Sequence, residues 1–181
     1  MSDEEIISTI NSENSSIHFE VLYKRYHRRV LDKCYSLVKN RQLAEELAED
    51  IFSKTFEKLH TFKSKSSFSS WLYSLSYNHC IDYLRNKNKL HYPDWNREHE
   101  IPEIIDETDE NLNAIDYDNM MAIFELIHPE EKALLIMKYQ DNLSMKDIGE
   151  SLRISEDATK MRLKRARARV IYLYKEKFWD K

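Results

Sequence analysis

The chain has 181 residues, 33% charged and 41% hydrophobic, with a formal net charge of −4, one glycine and three prolines. One glycine is too few for the turns of sandwiches or barrels, so an all-α protein is expected. No apolar run approaches the roughly 20 residues of a membrane span, and the opening MSDEEIISTI has no signal-peptide layout. The expectation is a cytoplasmic protein without membrane insertion.

Helical periodicity begins with a short element around Ile6, Ile7 and Ile10. The first main helix spans about Ser16 to Lys39, with Phe19, Leu22, Tyr26, Val30, Cys34 and Leu37 at spacings of three and four. The second spans about Arg41 to Leu59 and carries Leu43, Leu47, Ile51, Phe56 and Leu59 on one side. A third opens after the serine-rich KSKSSFSS, with Ser69 or Ser70 as its cap, and runs to about Lys87. Cys34 and Cys80 form no Cys-x-x-Cys motif and read as small core residues in a reducing compartment. The histidines show no metal-ligand spacing, so neither metal nor cofactor is expected.

From Pro93 to Asp118 the chain holds ten acids, a single Arg97 and two prolines. This composition reads as a solvated acidic linker, about 91–112, joining two small helical domains, 1–90 and 113–181.

In the second domain a helix is expected over about Leu112–Ile127. Pro129 suits the first position of the next, with Glu130 and Glu131 at its positive end and Leu134, Leu135 and Met137 along it. The sequence NLS breaks that helix, and Ser144 caps the short MKDIGESL. A longer helix starts near Ser155, with Glu156 and Asp157 in its first turn. Short helix, tight turn and longer helix make a helix-turn-helix, held together by Met145, Ile148, Leu152 and Ile154.

Residues 158–169, ATKMRLKRARAR, hold six cations and no acid. At 100° per residue, Thr159, Leu163, Ala166, Val170 and Leu173 form a narrow apolar stripe. Asp157, Lys160, Met161, Lys164, Arg165 and Ala168 lie opposite, and Arg162 and Arg169 flank the stripe. Charges of one sign held so close favour a polyanion; a solvated surface face is the alternative. In a major groove, Lys160, Met161 and Lys164 lie where base edges are met. Arg162, Arg165, Arg167 and Arg169 suit phosphates, and Ser155 at the helix start is a further DNA-binding residue.

With both domains placed, the sequence resembles a bacterial RNA polymerase sigma factor of the extracytoplasmic-function type, in the sigma-70 family. FEVLYKRYHRRVLDKCYSLV, AEDIFSKTFEKL and FKSKSSFSSWLYSLSYNHCIDYLR resemble the family's region 2. IHPEEKALLIMKYQDNLSMKDIGESLRISEDATKMRLKRARARV resembles its region 4. The resemblance implies that region 2 docks on the clamp helices of core RNA polymerase and recognises the minus-10 element. Region 4 would sit on the flap and read the minus-35 element of promoter DNA, and an anti-sigma factor is a further partner. The acidic linker would pass near the RNA exit path, as a nucleic-acid mimic or a plain tether.

The resemblance also distributes roles. Glu49, Asp50 and Lys54 would contact the polymerase, with Leu47 and Ile51 as apolar support or simply core; Phe56 reads as core. Ser53 stands where the family often has Gln. The loop with Lys63, Lys65, Ser66, Ser67 and Phe68, together with Asn78, would capture an unstacked promoter base. Trp71 and Tyr77 would stack on bases or pack in the core, and Arg85, Lys87 and Lys89 would reach phosphates. Arg153 occupies the helix-turn-helix corner, where glycine is common, and would add a phosphate contact; Thr159 stands where valine is usual. The rivals are a stand-alone helix-turn-helix regulator and a helical adaptor. An enzyme finds no glycine-rich phosphate loop, nucleophile constellation or metal cluster.

Overall fold

The computed structural model describes residues 1–13, 16–87, 91–102 and 108–179, and all regular structure among them is helical. The chain divides into two compact units, Met1–Leu84 and Arg85–Lys181.

The first unit contains α1 (Asp3–Glu13), α2 (Ser16–Val38), α3 (Arg41–Lys58), a 3-10 turn at Leu59–Thr61, and most of α4 (Phe68–Lys87). Lys39 leaves α2 in a left-handed conformation (φ 55°), and the Asn40 Oδ1 accepts from the Leu43 amide at 2.9 Å to start α3. Leu22, Val30 and Cys34 of α2, Ala44, Leu47 and Ile51 of α3, and Phe68, Leu72, Tyr77 and Cys80 of α4 are all buried. Each fully buried Leu or Ile contributes about 1.5–3 kcal/mol of transfer free energy. Cys34 and Cys80 are buried free thiols, and the neighbouring Cys34 together with burial pushes the Cys80 thiol up.

Two local expectations change here. Phe56 is 41% exposed, edge-on to Phe19 at 5.0 Å, and Phe52 and Thr55 are buried in its place. The face runs Leu47, Ile51, Thr55 at intervals of four, and Thr55 tolerates burial because its Oγ1 donates to the Ile51 carbonyl at 2.7 Å. α4 is capped by Ser67, whose Oγ accepts from the Ser70 amide at 3.2 Å, rather than by Ser69 or Ser70.

The second unit contains α5 (Tyr92–Glu98), α6 (Asp109–Asn113), α7 (Tyr117–Phe124), α8 (Pro129–Leu135), α9 (Met145–Leu152) and α10 (Glu156–Tyr174). Wide π-helical turns extend α8 over Ile136–Gln140 and α10 over Lys175–Trp179. The single helix expected over 112–127 is two, because Asp116 caps α7 by accepting from the Asn119 amide at 3.0 Å. Pro129 opens α8, Ser144 caps α9 and Ser155 caps α10, as their sequence signals require.

Residues 91–102 are also structured. Composition reads them as solvated linker, yet Tyr92 is buried and the Trp95 ring lies 4.6 Å from the Arg169 guanidinium. Two aromatic rings have more to gain from burial than the surrounding acids lose. Of the acids counted in this stretch, Glu103, Asp106 and Glu107 lie outside the described residues, as does Lys89.

Candidate nucleic-acid interface

Gly149 sets the geometry of the helix-turn-helix. A Cβ there would lie 2.8 Å from the Ile154 carbonyl oxygen and 2.9 Å from the Thr159 Oγ1, so only glycine admits this approach of α9 to α10. Arg153 makes the corner in the left-handed region (φ 57°, ψ 44°), the backbone for which glycine is the usual choice. The Ile154 amide closes the turn onto the Gly149 carbonyl at 2.9 Å. Thr159 is buried and its hydroxyl donates to the Ser155 carbonyl at 2.9 Å. Leu163, Ala166 and Val170 continue that buried stripe, and Leu173 is half-buried.

The outward face of α10 presents Lys160, Met161, Lys164 and Arg165, all exposed, with exposed Ser155 and Arg153 at its start. Lys160 pairs with Glu156 one turn earlier at 3.2 Å, a contact readily exchanged for a stronger anion. Arg167 is half-buried and donates to the Tyr139 hydroxyl at 3.3 Å, which itself donates to Asp109 at 2.6 Å.

Two arginines assigned to phosphate contact are instead tied to acids of α8, Arg162 half-buried and Arg169 buried. Arg162 is bound to Glu130 at 2.6 Å and lies over the Tyr92 ring at 4.8 Å. Arg169 is only 4% exposed. It meets both Glu131 oxygens at 3.1 and 3.0 Å, donates to the Asn96 Oδ1 at 2.7 Å and reaches the His99 carbonyl. Arg85 is likewise held, by Glu130 at 2.7 Å and by the Leu152 carbonyl at 3.3 Å. A helical wheel places arginines beside an apolar stripe without showing which neighbours face them. The partners here are Glu130 and Glu131, acids that the sequence explains equally well as favouring a helix N-terminus. Burial pushes the Glu131 carboxyl up, and Arg169 opposes that shift.

In the first unit, Lys63, Lys65, Ser66 and Ser67 are exposed on the loop between Phe62 and Phe68, and Ser64 in that loop has φ 52°. Trp71 and Asn78 are half-buried; Lys87, at the end of α4 and beyond this unit, is exposed. Phe68 and Tyr77 are fully buried, so neither presents a face to a base. Tyr77 accepts at its hydroxyl from the Lys33 Nζ at 3.0 Å, and Phe68 packs among Tyr26, Phe62 and Trp71. Both belong to the 3–4 spaced face of α4 that includes Leu72, Tyr73 and Cys80.

On α3, Glu49, Asp50, Ser53 and Lys54 are exposed together, whereas Leu47 and Ile51 are buried and act by holding the helix in place. Tyr23 donates to Glu49 at 2.7 Å, which pushes the phenol up to about 12, and His27 lies 3.3 Å from the same carboxylate. His79 lies 2.9 Å from the Lys54 Nζ and 3.7 Å from Asp50; burial and Lys54 together lower its basicity. Glu49, Asp50 and Lys54 thus each have a neighbour within the unit while staying exposed.

Residues 22–90 match the sequence model of sigma-70 region 2, and residues 117–170 match that of sigma-70 region 4. Among characterised proteins, the chain is 23% identical to the extracytoplasmic-function RNA polymerase sigma factor SigX of Bacillus subtilis, over 78% of this chain and 76% of that one. It is 26% identical to SigW of the same organism, over 78% and 81%. The fold is similar to sigma factor RpoE of Bartonella quintana, solved with the anti-sigma factor NepR (TM-score 0.60, 18% identity, 88% of this chain and 98% of that one). It is also similar to CnrH, solved with the cytosolic domain of CnrY (TM-score 0.58, 16% identity, 97% and 98%).

Proposed function

Because the chain belongs to the sigma-70 family, among its extracytoplasmic-function factors, we propose that it binds core RNA polymerase and directs it to promoters for transcription initiation. The observation that carries this reading is the occurrence, in family order, of a region 2 unit and a region 4 unit on one chain. Matched alone, the second unit would suit a stand-alone helix-turn-helix regulator. The first unit, with its exposed α3 face, gives a polymerase-binding function its surface.

In this reading Glu49, Asp50, Ser53 and Lys54 contact the polymerase clamp, supported from beneath by Leu47 and Ile51. Lys63, Lys65, Ser66 and Ser67, with Asn78 and the edge of Trp71, meet the unstacked minus-10 strand, and Lys87 meets phosphate. Unstacking a base costs a few kcal/mol per step, which hydroxyl, amide and aromatic groups of this kind can offset. At the minus-35 element Lys160, Met161 and Lys164 face base edges, while Arg153, Ser155, Arg165 and Arg167 hold the backbone.

The anti-sigma factor bound to the structural neighbour RpoE suggests an anti-sigma factor as a regulatory partner. The role is that of an initiation factor rather than an enzyme, and no helix among the described residues is long and apolar enough to cross a membrane.

The test is gel filtration of the purified chain with core polymerase lacking any sigma factor. The expected result is a stoichiometric complex; DNA binding without polymerase binding would hand the protein to the regulator reading.

A further inference from the structure

α1 lies wholly outside residues 22–90, the span matched to region 2, yet it is built into the first unit. Ile6, Ile7 and Ile10 are 1–6% exposed, and α1 packs against α2 and against the 3-10 turn that leads into loop 63–67. Its first residue, Asp3, accepts hydrogen bonds from the Tyr26 hydroxyl and the Arg25 guanidinium, and its side chain is 16% exposed. Tyr26 is 6% exposed, and its phenol is pushed up by burial and then by the Asp3 bond.

The Tyr26 ring meets the Phe68 ring edge-on at 5.5 Å. Phe68 meets Phe62 at 5.9 Å and 86°, and Trp71 lies within 5.5 Å of Phe62 and 5.9 Å of Phe68. Phe62 and Phe68 are the residues immediately before and after the exposed loop. Both ends of the loop are therefore fastened to one aromatic cluster. Tyr26 lies against that cluster, and Asp3 fixes the tyrosine.

We propose that α1 is a positioning element for promoter opening, in which Asp3 orients Tyr26 and Tyr26 orients the Phe62–Phe68 pair that sets the ends of loop 63–67. The proposal rests on the assignment of that loop to the unstacked promoter strand. Asp3 and Tyr26 touch no nucleic acid; they reduce the freedom of residues that do. Apart from the Ser67 hydroxyl that caps α4, this loop of five exposed residues with one left-handed serine has little of its own to hold it, so the orientation of its ends decides where Lys63 and Lys65 point.

The experiment uses the full chain with core polymerase and compares Tyr26→Phe, Asp3→Ala and the double variant with wild type. Opening of a duplex promoter is followed by a fluorescent base analogue in the minus-10 element. Each single variant is expected to open duplex about five- to tenfold more slowly, the rate counterpart of one lost buried hydrogen bond. The double variant should be no slower than Asp3→Ala alone, since Asp3→Ala already removes the one contact that Tyr26→Phe deletes, along with the Arg25 pair. Affinity for core polymerase should stay within about twofold, and initiation from a premelted template should be near wild type. Wild-type opening rates in both variants, or equal losses on duplex and premelted DNA, would overturn the proposal. Tyr26→Phe keeps the ring and decides the matter if Asp3→Ala does not fold. Lys65→Ala separates the two levels: if it slows opening while Tyr26→Phe does not, only the positioning role falls. If Lys65→Ala opens normally, the loop assignment falls and takes the positioning role with it.

Discussion

Arg169→Ala tests whether the last arginine of the basic dodecapeptide serves structure or DNA. The guanidinium is 4% exposed and bonds Glu131, Asn96 and the His99 carbonyl beneath the Trp95 ring. Its removal leaves the fully buried Glu131 carboxylate with the Tyr92 hydroxyl at 3.1 Å in place of that cation. Breaking a buried pair from one side costs about 3–5 kcal/mol. At about 4–8 °C per kcal/mol for a unit of this size, the second unit should melt more than about 12 °C lower. The penalty depends on pH. Without Arg169 the Glu131 carboxyl rises further above its unfolded value, so the folded unit holds the extra proton. The deficit is then full above that raised value and shrinks as pH falls through it. Replacing both residues, as Arg169→Met with Glu131→Leu, should recover most of the loss. The assay is urea unfolding read by Trp95 fluorescence, with Trp71 and Trp179 replaced by Phe. A loss below about 1 kcal/mol, accompanied by weaker and less salt-dependent DNA binding, would refute the reasoning and return Arg169 to the phosphates.

Gly149→Ala places a methyl group 2.8 Å from the Ile154 carbonyl oxygen. Overpacking of about 1–3 kcal/mol should outweigh the helix-propensity gain of about 0.5–1 kcal/mol, and calorimetry showing a more stable variant would contradict this. Lys160→Ala and Lys164→Ala should each cost about 1–3 kcal/mol of discrimination for the preferred minus-35 sequence, measured by competition; equal loss on all sequences would make them phosphate contacts. Arg165→Ala should lower the slope of log affinity against log salt by about one, with an unchanged slope counting against a phosphate contact. Asp50→Arg should weaken polymerase binding while leaving minus-35 binding intact; a normal complex would move the docking face elsewhere.

Most helices, and three of their starts, were legible because they rest on local chemistry. Pro129, Ser144 and Ser155 each satisfy or spare a helix-end amide within a few residues, and such signals need no tertiary context. The buried stripe of α10 was legible for the same reason. What composition concealed was long-range pairing. Nothing near Arg162 or Arg169 in sequence says that Glu130 and Glu131, more than thirty residues earlier, lie opposite them. Acid counting made Tyr92 and Trp95 appear solvated, although two aromatic rings beside a proline already argue for burial. Phe56 was misplaced because Thr55, the residue in register with Leu47 and Ile51, is polar and does not announce itself as core. Asp3 was invisible as a partner of Tyr26, since an acid in a first helical turn has a sufficient local explanation.

The central claim is that one chain carries both polymerase docking and promoter reading. The most direct measurement is run-off transcription by core polymerase plus this protein from a library of double-stranded templates. The account predicts defined start sites that share two spaced elements, absent with core polymerase alone and lost with Asp50→Arg. Initiation no different from core polymerase alone, by protein that binds specific DNA sites on its own, would contradict it.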